Sequence, residues 1–307
     1  MPFRSRTPGR RILLAALVAL AGSLVLASPA FAKRKNPVSK LYVADLKGDA
    51  EIDDGEKISD LKNKTVHDAA GSKVQTKDDA SSALVYSNGT GVYLEPDTRM
   101  NVKSFVQEPF IPNRTDMEVE PSISKTETVV THGTVGLCTS KMIAGSKMVY
   151  RTPHASVNIR GRRVVIQADD NETKVSLVEG DCTVSAGEKD VGGQVLHPGQ
   201  QAIIRRVAPG TPGARIGPDG DAFSVVVQPI PPGERPVVED KVVKACMARR
   251  TVYFEVADRK GDKGASDAVT AFTGDADDAP APELVPVEVI APPPPTEKPV
   301  SPFRLTE

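Results

Sequence analysis

The chain has 307 residues, 39 lysines and arginines against 40 aspartates and glutamates, no tryptophan and only three cysteines. A near-neutral balance with mixed charge gives no electrostatic case for general nucleic-acid binding. The length allows a sizeable core, but that core has to be built mainly from Val, Ile, Leu and Ala.

Residues 1–32 carry the pattern of an export signal. Arg4, Arg6, Arg10 and Arg11 precede the apolar run "ILLAALVALAGSLVLA", and "SPAFA" closes it with Ala30-Phe31-Ala32 in the small-x-small cleavage pattern. The run is short against the about 20 residues that cross a bilayer, so cleavage after Ala32 is expected, with retention as an anchor the alternative. Cleavage removes four arginines and no acids, which leaves 35 basic against 40 acidic residues. No later stretch is long and apolar enough to span a membrane, so the mature chain is expected in the periplasm or secreted.

From Leu41 to Arg206 the pattern is period two, broken by Gly, Asn-Gly and Pro. "SALVYS", "GVYLEP", "RMNVKSF", "ETVVTHGTVGLCTSK", "KMVYRT", "ASVNIRG", "RVVIQA", "TKVSLVEG", "DCTVSA" and "QAIIRR" each predict a short strand. Ser87-Asn88-Gly89-Thr90 is a hairpin signal, because Asn-Gly accepts the positive φ of a tight turn. Asp169-Asp170-Asn171 and Gly192-Gly193 mark further turns. The expected class is all-β: an elongated sandwich or a solenoid-like stack of many short strands.

Residues 207–272 change texture and form an appended α/β segment of uncertain fold. A Gly/Pro-rich connection encloses the strand-like "FSVVVQPI"; "VVEDKVVKACMARR" predicts a short helix and "TVYFEVADR" a strand. Residues 273–307 are acidic and crowded with proline, which cannot donate to a helix or sheet ladder, so a disordered tail is expected.

The strand region resembles the FecR-like periplasmic domain family. Gly48, Thr76, Ala83, Asn88-Gly89, Leu94, Pro96 and Thr98 fall where that family places its first set of hallmarks. "VVTHGTVGLC", "VYRTPHASVNIRG", "TKVSLVEGDCTVS" and "VLHPGQQAII" follow its second half in order. The resemblance implies a non-catalytic sensor or adaptor. In the family's iron-uptake relays the domain follows a cytoplasmic sigma-regulating segment and a membrane span; here an export signal precedes it. Two further departures are Arg162, where the family has a small threonine, and the insertion "QEPFIPNRTDMEVEPSISKTE". The motif glycines, Gly48, Gly133, Gly161, Gly180 and Gly199, belong at turns or strand ends. Thr76, Thr98 and Thr152 are suited to close such turns with their hydroxyls.

Arg160, Arg162 and Arg163 are the first candidates for partner binding. Strand alternation would put Arg160 and Arg162 on one face and Arg163 on the other, unless a bulge at Gly161 shifts the register. They are either a bidentate site for carboxylate, phosphate or acidic glycan, or a solvated face paired with Glu172 or Glu179. Of Cys138, Cys182 and Cys246 one must be left over or pair between chains; Cys138–Cys182 within the strands and Cys246 clipping the appended segment to the β domain both remain open. His67, His132, His154 and His197 are scattered without metal-site spacing, and His154 and His197 are expected exposed in turns beside prolines. No nucleophile elbow, phosphate loop or dinucleotide fingerprint occurs, so neither catalysis nor a cofactor is indicated. The sequence thus points to an exported bacterial envelope binding or scaffold protein, partnered by an envelope protein or an anionic cell-wall polymer. A membrane-anchored signalling sensor and a polysaccharide or peptidoglycan binder are the alternatives.

Overall fold

The computed structural model describes residues 39–110, 118–187, 193–216, 220–256 and 269–273. The expected export signal, the proline-rich tail after Thr273 and the centre of the insertion lie outside the described residues.

Short alternating segments give short strands, and these join into one continuous 18-stranded network folded into two layers. The first layer contains β1 (Lys40–Lys47), β4 (Val66–Asp68), β6 (Ser81–Tyr86), β7 (Gly91–Leu94), β12 (Arg163–Ala168), β13 (Glu172–Glu179), β16 (Gln200–Val207), β17 (Arg215–Ile216) and β18 (Ala222–Pro229). The second contains β2 (Ala50–Asp53), β3 (Ile58–Asp60), β5 (Lys73–Thr76), β8 (Arg99–Gln107), β10 (Lys147–Arg151), β11 (Ala155–Ile159), β14 (Cys182–Ala186) and β15 (Gln194–Leu196). β9 (Ser124–Cys138) belongs to both. Its first part runs beside β8 and β10, and from Gly133 onward it pairs with β12 and β7. The first layer therefore runs β4-β1-β6-β7-β9-β12-β13-β16-β18-β17. The second runs β3-β2-β5-β8-β9-β10-β11-β14-β15. The described strand pairs are antiparallel apart from β9–β10.

The alternation is that of a sandwich. Leu84, Tyr86, Leu137, Ile166 and Leu177 of the first layer share one buried cluster with Ile52, Met100, Phe105, Tyr150 and Ile159 of the second. Across the layers the rings of Tyr86 and Phe105 are 5.5 Å apart, and Tyr86 Oη donates to Met100 Sδ. Each such side chain contributes about 1.5–3 kcal/mol by leaving water. The strand-like segment after Arg206 is integral to this body: β18 pairs along the whole of β16 and extends the first layer.

One helix, α1 (Arg235–Arg250), lies on the outer face of the first layer. Its buried positions, Val238, Lys241, Val242, Ala245, Ala248 and Arg249, recur at helical spacing and so face the sheet. Gly91 and Gly136 make the seat: a Cβ would come within 2.0 Å of Ala245 O at the first and 2.8 Å of Lys241 O at the second. Val238 and Val242 pack with Val165 and Ile230, and Ala248 with Tyr42, Ala83 and Val85. Lys241 Nζ pairs with Glu95 at the edge of the seat. After α1, β19 (Val252–Val256) and β20 (Val269–Thr273) form a separate antiparallel pair. No helix among the described residues is long and apolar enough to cross a membrane.

His154 corrects the sequence expectation. It is 3% exposed, and its Nδ1 lies 3.3 Å from Thr173 Oγ1. The turn after Pro153 folds inward because Thr152 Oγ1 accepts from Ala155 N at 2.9 Å and meets Thr173 Oγ1 at 2.8 Å. Burial, and then Arg206, pull this imidazole below its ordinary pKa. His197 is exposed, as a turn residue should be.

Candidate functional site

The stretch from Asn158 to Val164 is not one strand. β11 ends at Ile159 in the second layer and β12 begins at Arg163 in the first, so Arg160-Gly161-Arg162 is the corner between them. Two glycines let that corner nest against the next one. A Cβ on Gly161 would lie 2.2 Å from Asp181 N, and Gly180, at φ +94°, sits directly over Gly161. Backbone bonds close the crossing: Arg160 N to Asp181 O at 2.9 Å, Arg162 N to Glu179 O at 3.1 Å and Thr139 N to Arg162 O at 2.8 Å. Thr139 Oγ1 adds a bond to Gly161 O at 2.7 Å.

Period-two alternation does not govern a corner, so the facing of the arginines differs from the strand expectation. Arg162 and Arg163 come together over Glu179, at 3.4 and 3.3 Å, while Arg160 is exposed and stands apart from them. Arg162 also reaches Glu118 Oε2 at 2.5 Å. Glu172, the other acid considered, pairs with Arg205 instead.

Two further arginines arrive from α1. Arg249 and Arg250 end the helix, where cations are favoured by its dipole. Cys246 joins Cys138, at the end of β9, with Cα atoms 5.1 Å apart, which resolves the pairing left open by the sequence. Arg249 Nη1 donates to Thr139 O at 3.2 Å and lies 3.9 Å from Cys138 Sγ. Glu118, Cys138, Thr139, Arg162, Arg163, Glu179, Cys246, Arg249 and Arg250 thus line one depression of about 60 Å³. Binding pockets for drug-sized molecules are roughly 300–1,000 Å³; this one has room for a single small group. Among the described residues that line it, four guanidiniums accompany two carboxylates. Arg249 is 8% exposed, and burial, together with Arg162, Arg250 and Arg163, pulls its pKa down against the opposing pull of Glu118. An anion placed there would relieve that repulsion, and guanidiniums fit carboxylate or phosphate oxygens in pairs.

The loop that brings in Glu118 is held from below. Lys141 N donates to Glu118 O at 2.7 Å, and Glu120 N to Lys141 O at 3.0 Å. The buried Glu120 carboxylate accepts from Ser124 Oγ and from Ile143 N; burial raises its pKa, opposed by these bonds.

Arg249 and Arg250 were absent from the sequence candidates. The readable signal is Cys-x-x-Arg-Arg on a helix, which puts both arginines one turn after Cys246 and on its side. Cys182 is buried and unpaired, its thiol pushed up to about 12 by burial and then by Asp181. His67 and His132 bond to Thr65 and Asp97 separately, and no group of metal-ligating side chains occurs among the described residues.

No protein-family model and no curated protein matches the chain. Two crystal structures of a "putative anti-sigma factor" from Parabacteroides distasonis ATCC 8503, at 1.65 and 2.50 Å resolution, are similar in structure. They are 17% and 16% identical, with TM-scores of 0.36 and 0.35, and the match spans 53% of this chain and 62% of each neighbour. A superposition that loose fixes neither fold nor role.

Proposed function

We propose that the chain is an exported, non-catalytic binding protein of the bacterial envelope, built on a FecR-like sandwich, and that it recognises carboxylate or phosphate groups of a cell-wall polymer. The observation that carries this reading is the depression where Arg162, Arg163, Arg249 and Arg250 outnumber Glu118 and Glu179. The family-like residues support the non-catalytic part. Thr76, Thr98, Gly133, Gly161 and Gly180 are all engaged in closing the backbone, which is scaffold work. Export, with a mature start at Lys33, belongs to the same proposal and follows from the N-terminal pattern.

The test is retention on purified anionic cell-wall polymer as salt is raised. Binding should weaken with ionic strength, because a surface cluster is screened within about 8–10 Å. The Arg162→Ala/Arg163→Ala double variant should bind at least about tenfold more weakly, the loss of one charge-assisted contact being about 1.5–3 kcal/mol. Retention by the double variant equal to that of the native chain would overturn the polymer reading and turn attention to sheet-edge binding of a protein partner.

A further inference from the structure

The disulfide forms part of the wall of the arginine depression. Cys138 is 4% exposed at the end of β9, Cys246 is half-buried on α1, and Arg249 Nη1 stands 3.9 Å from Cys138 Sγ. Arg162, Arg163 and Arg250 line the same space. A thiolate is favoured beside cations, and a sulfur that leaves easily as thiolate makes its disulfide faster to reduce. Cys182 has none of these features: it is buried, and its nearest noted charge is the acid Asp181. The two sulfur environments of this protein are therefore opposite in character.

We propose that Cys138–Cys246 is a reducible disulfide whose exchange with an external dithiol is controlled by the arginines that bind the anion, so that an anion in the depression protects the bond. This rests on the anion-binding reading and adds its regulation. One thiolate of the dithiol attacks Sγ of Cys246, the less buried of the two residues. The S–S bond breaks, its electron pair leaves on Cys138 Sγ as a thiolate beside Arg249, and a mixed disulfide joins the reagent to Cys246. The reagent's second thiolate then attacks its own sulfur in that mixed disulfide, releasing Cys246 as a thiolate and the reagent as a cyclic disulfide. Two electrons pass from the dithiol to the protein, and each thiolate takes a proton from solvent according to its pKa.

A bound anion draws on the same guanidiniums as the departing Cys138 thiolate. The two negative charges compete, and linkage makes the effect mutual: an anion that favours the oxidised form binds the reduced form less tightly by the same factor.

The experiment follows reduction of the oxidised full chain by dithiothreitol, read as free thiols by alkylation and intact mass. It is run with and without inorganic phosphate at matched ionic strength, and phosphate binding to each form is measured by calorimetry. Phosphate should slow reduction of the native chain about three- to tenfold and bind the reduced form more weakly than the oxidised form. Arg249→Ala should be reduced about three- to tenfold more slowly without phosphate, lose the phosphate effect, and be rescued by Arg249→Lys. Arg162→Ala, at the rim, keeps the test available should Arg249→Ala fail to fold, and should shrink the phosphate effect. Phosphate bound with no change in the reduction rate overturns the protection alone. Failure to bind phosphate overturns the anion reading and the protection with it. Native-rate reduction of Arg249→Ala overturns the role given to that guanidinium.

Discussion

The chain crosses between its two layers repeatedly, and two of these crossings, at Gly133 inside β9 and at Gly161 between β11 and β12, are built differently. At Gly133, φ is +91°, and a Cβ would lie 2.4 Å from Thr98 Oγ1 and 2.6 Å from Asp97 O. The bonds that close it come from hydroxyls and peptides, and the charged groups beside it are matched to one acid: Asp97 lies 3.5 Å from Arg99 and 3.2 Å from His132. Thr98 N donates to Thr76 Oγ1 at 2.9 Å, Thr134 N to Thr98 Oγ1 at 3.0 Å, and Thr76 Oγ1 to Glu95 O at 2.6 Å. At Gly161 the closure is again made by peptides and one threonine, Thr139. The charged side chains are additional. The side chains of Arg162, Arg163, Glu118 and Glu179 are all between about two-fifths and two-thirds exposed and take no part in the backbone bonds that close the turn. Both crossings meet the same backbone requirement, and at the second the arginines lining the depression outnumber the acids among the described residues. That excess is why the second crossing is assigned to recognition.

The largest effects should come from the glycines, where the two crossings are alike. Gly133→Ala and Gly161→Ala should each cost about 3 kcal/mol or more in urea denaturation, since backbone has to move to admit the methyl group. A large loss at one site and a small one at the other would break the equivalence of the two crossings.

An intermediate effect separates them. Thr98→Val removes the hydroxyl that accepts from Thr134 N and donates to Thr134 O; Thr134 O keeps its bond from Glu95 N, and Thr134 N loses this acceptor. A loss of about 1–3 kcal/mol is expected in the same urea titration. If Thr98→Val is neutral, the hydroxyl network is incidental, and the glycine conformation alone makes the crossing.

These residues also show what was legible in the sequence. The Asn88-Gly89 hairpin signal was local and is realised: Gly89 has φ +82°, and Thr90 N donates to Asn88 Oδ1 at 3.1 Å. The strand pattern gave the all-β class for the same reason, because alternation is written in neighbouring residues. Gly133 could be recognised as a turn glycine, but "ETVVTHGTVGLC" reads as one strand whether or not it changes layers. The change depends on which distant strands flank each part. Arg160, Arg162 and Arg163 were placed by an alternation that a corner does not obey. Residues 222–229 looked appended because their pairing with β16 is preceded by a Gly/Pro-rich connection. Arg249 and Arg250 reach the site through the docking of a helix, a tertiary event that no local pattern in β12 announces.

The smallest predicted effect on stability is the most informative about function. Arg162→Ala and Arg163→Ala remove ion pairs whose members are partly exposed, and pairs of that kind contribute about 0–1 kcal/mol. Each variant should therefore denature in urea within about 1 kcal/mol of the native chain, while polymer binding falls. Removing a guanidinium also lessens the repulsion on the buried Arg249, which works against the loss of the ion pair and keeps the net change small. A loss of several kcal/mol would mean that the arginines hold the corner and the sheets together, as Thr76 and Thr98 do at the other crossing. In that case weaker binding by the variants would report misfolding. Near-native stability joined to lost binding leaves recognition as what the extra charge at this crossing is for.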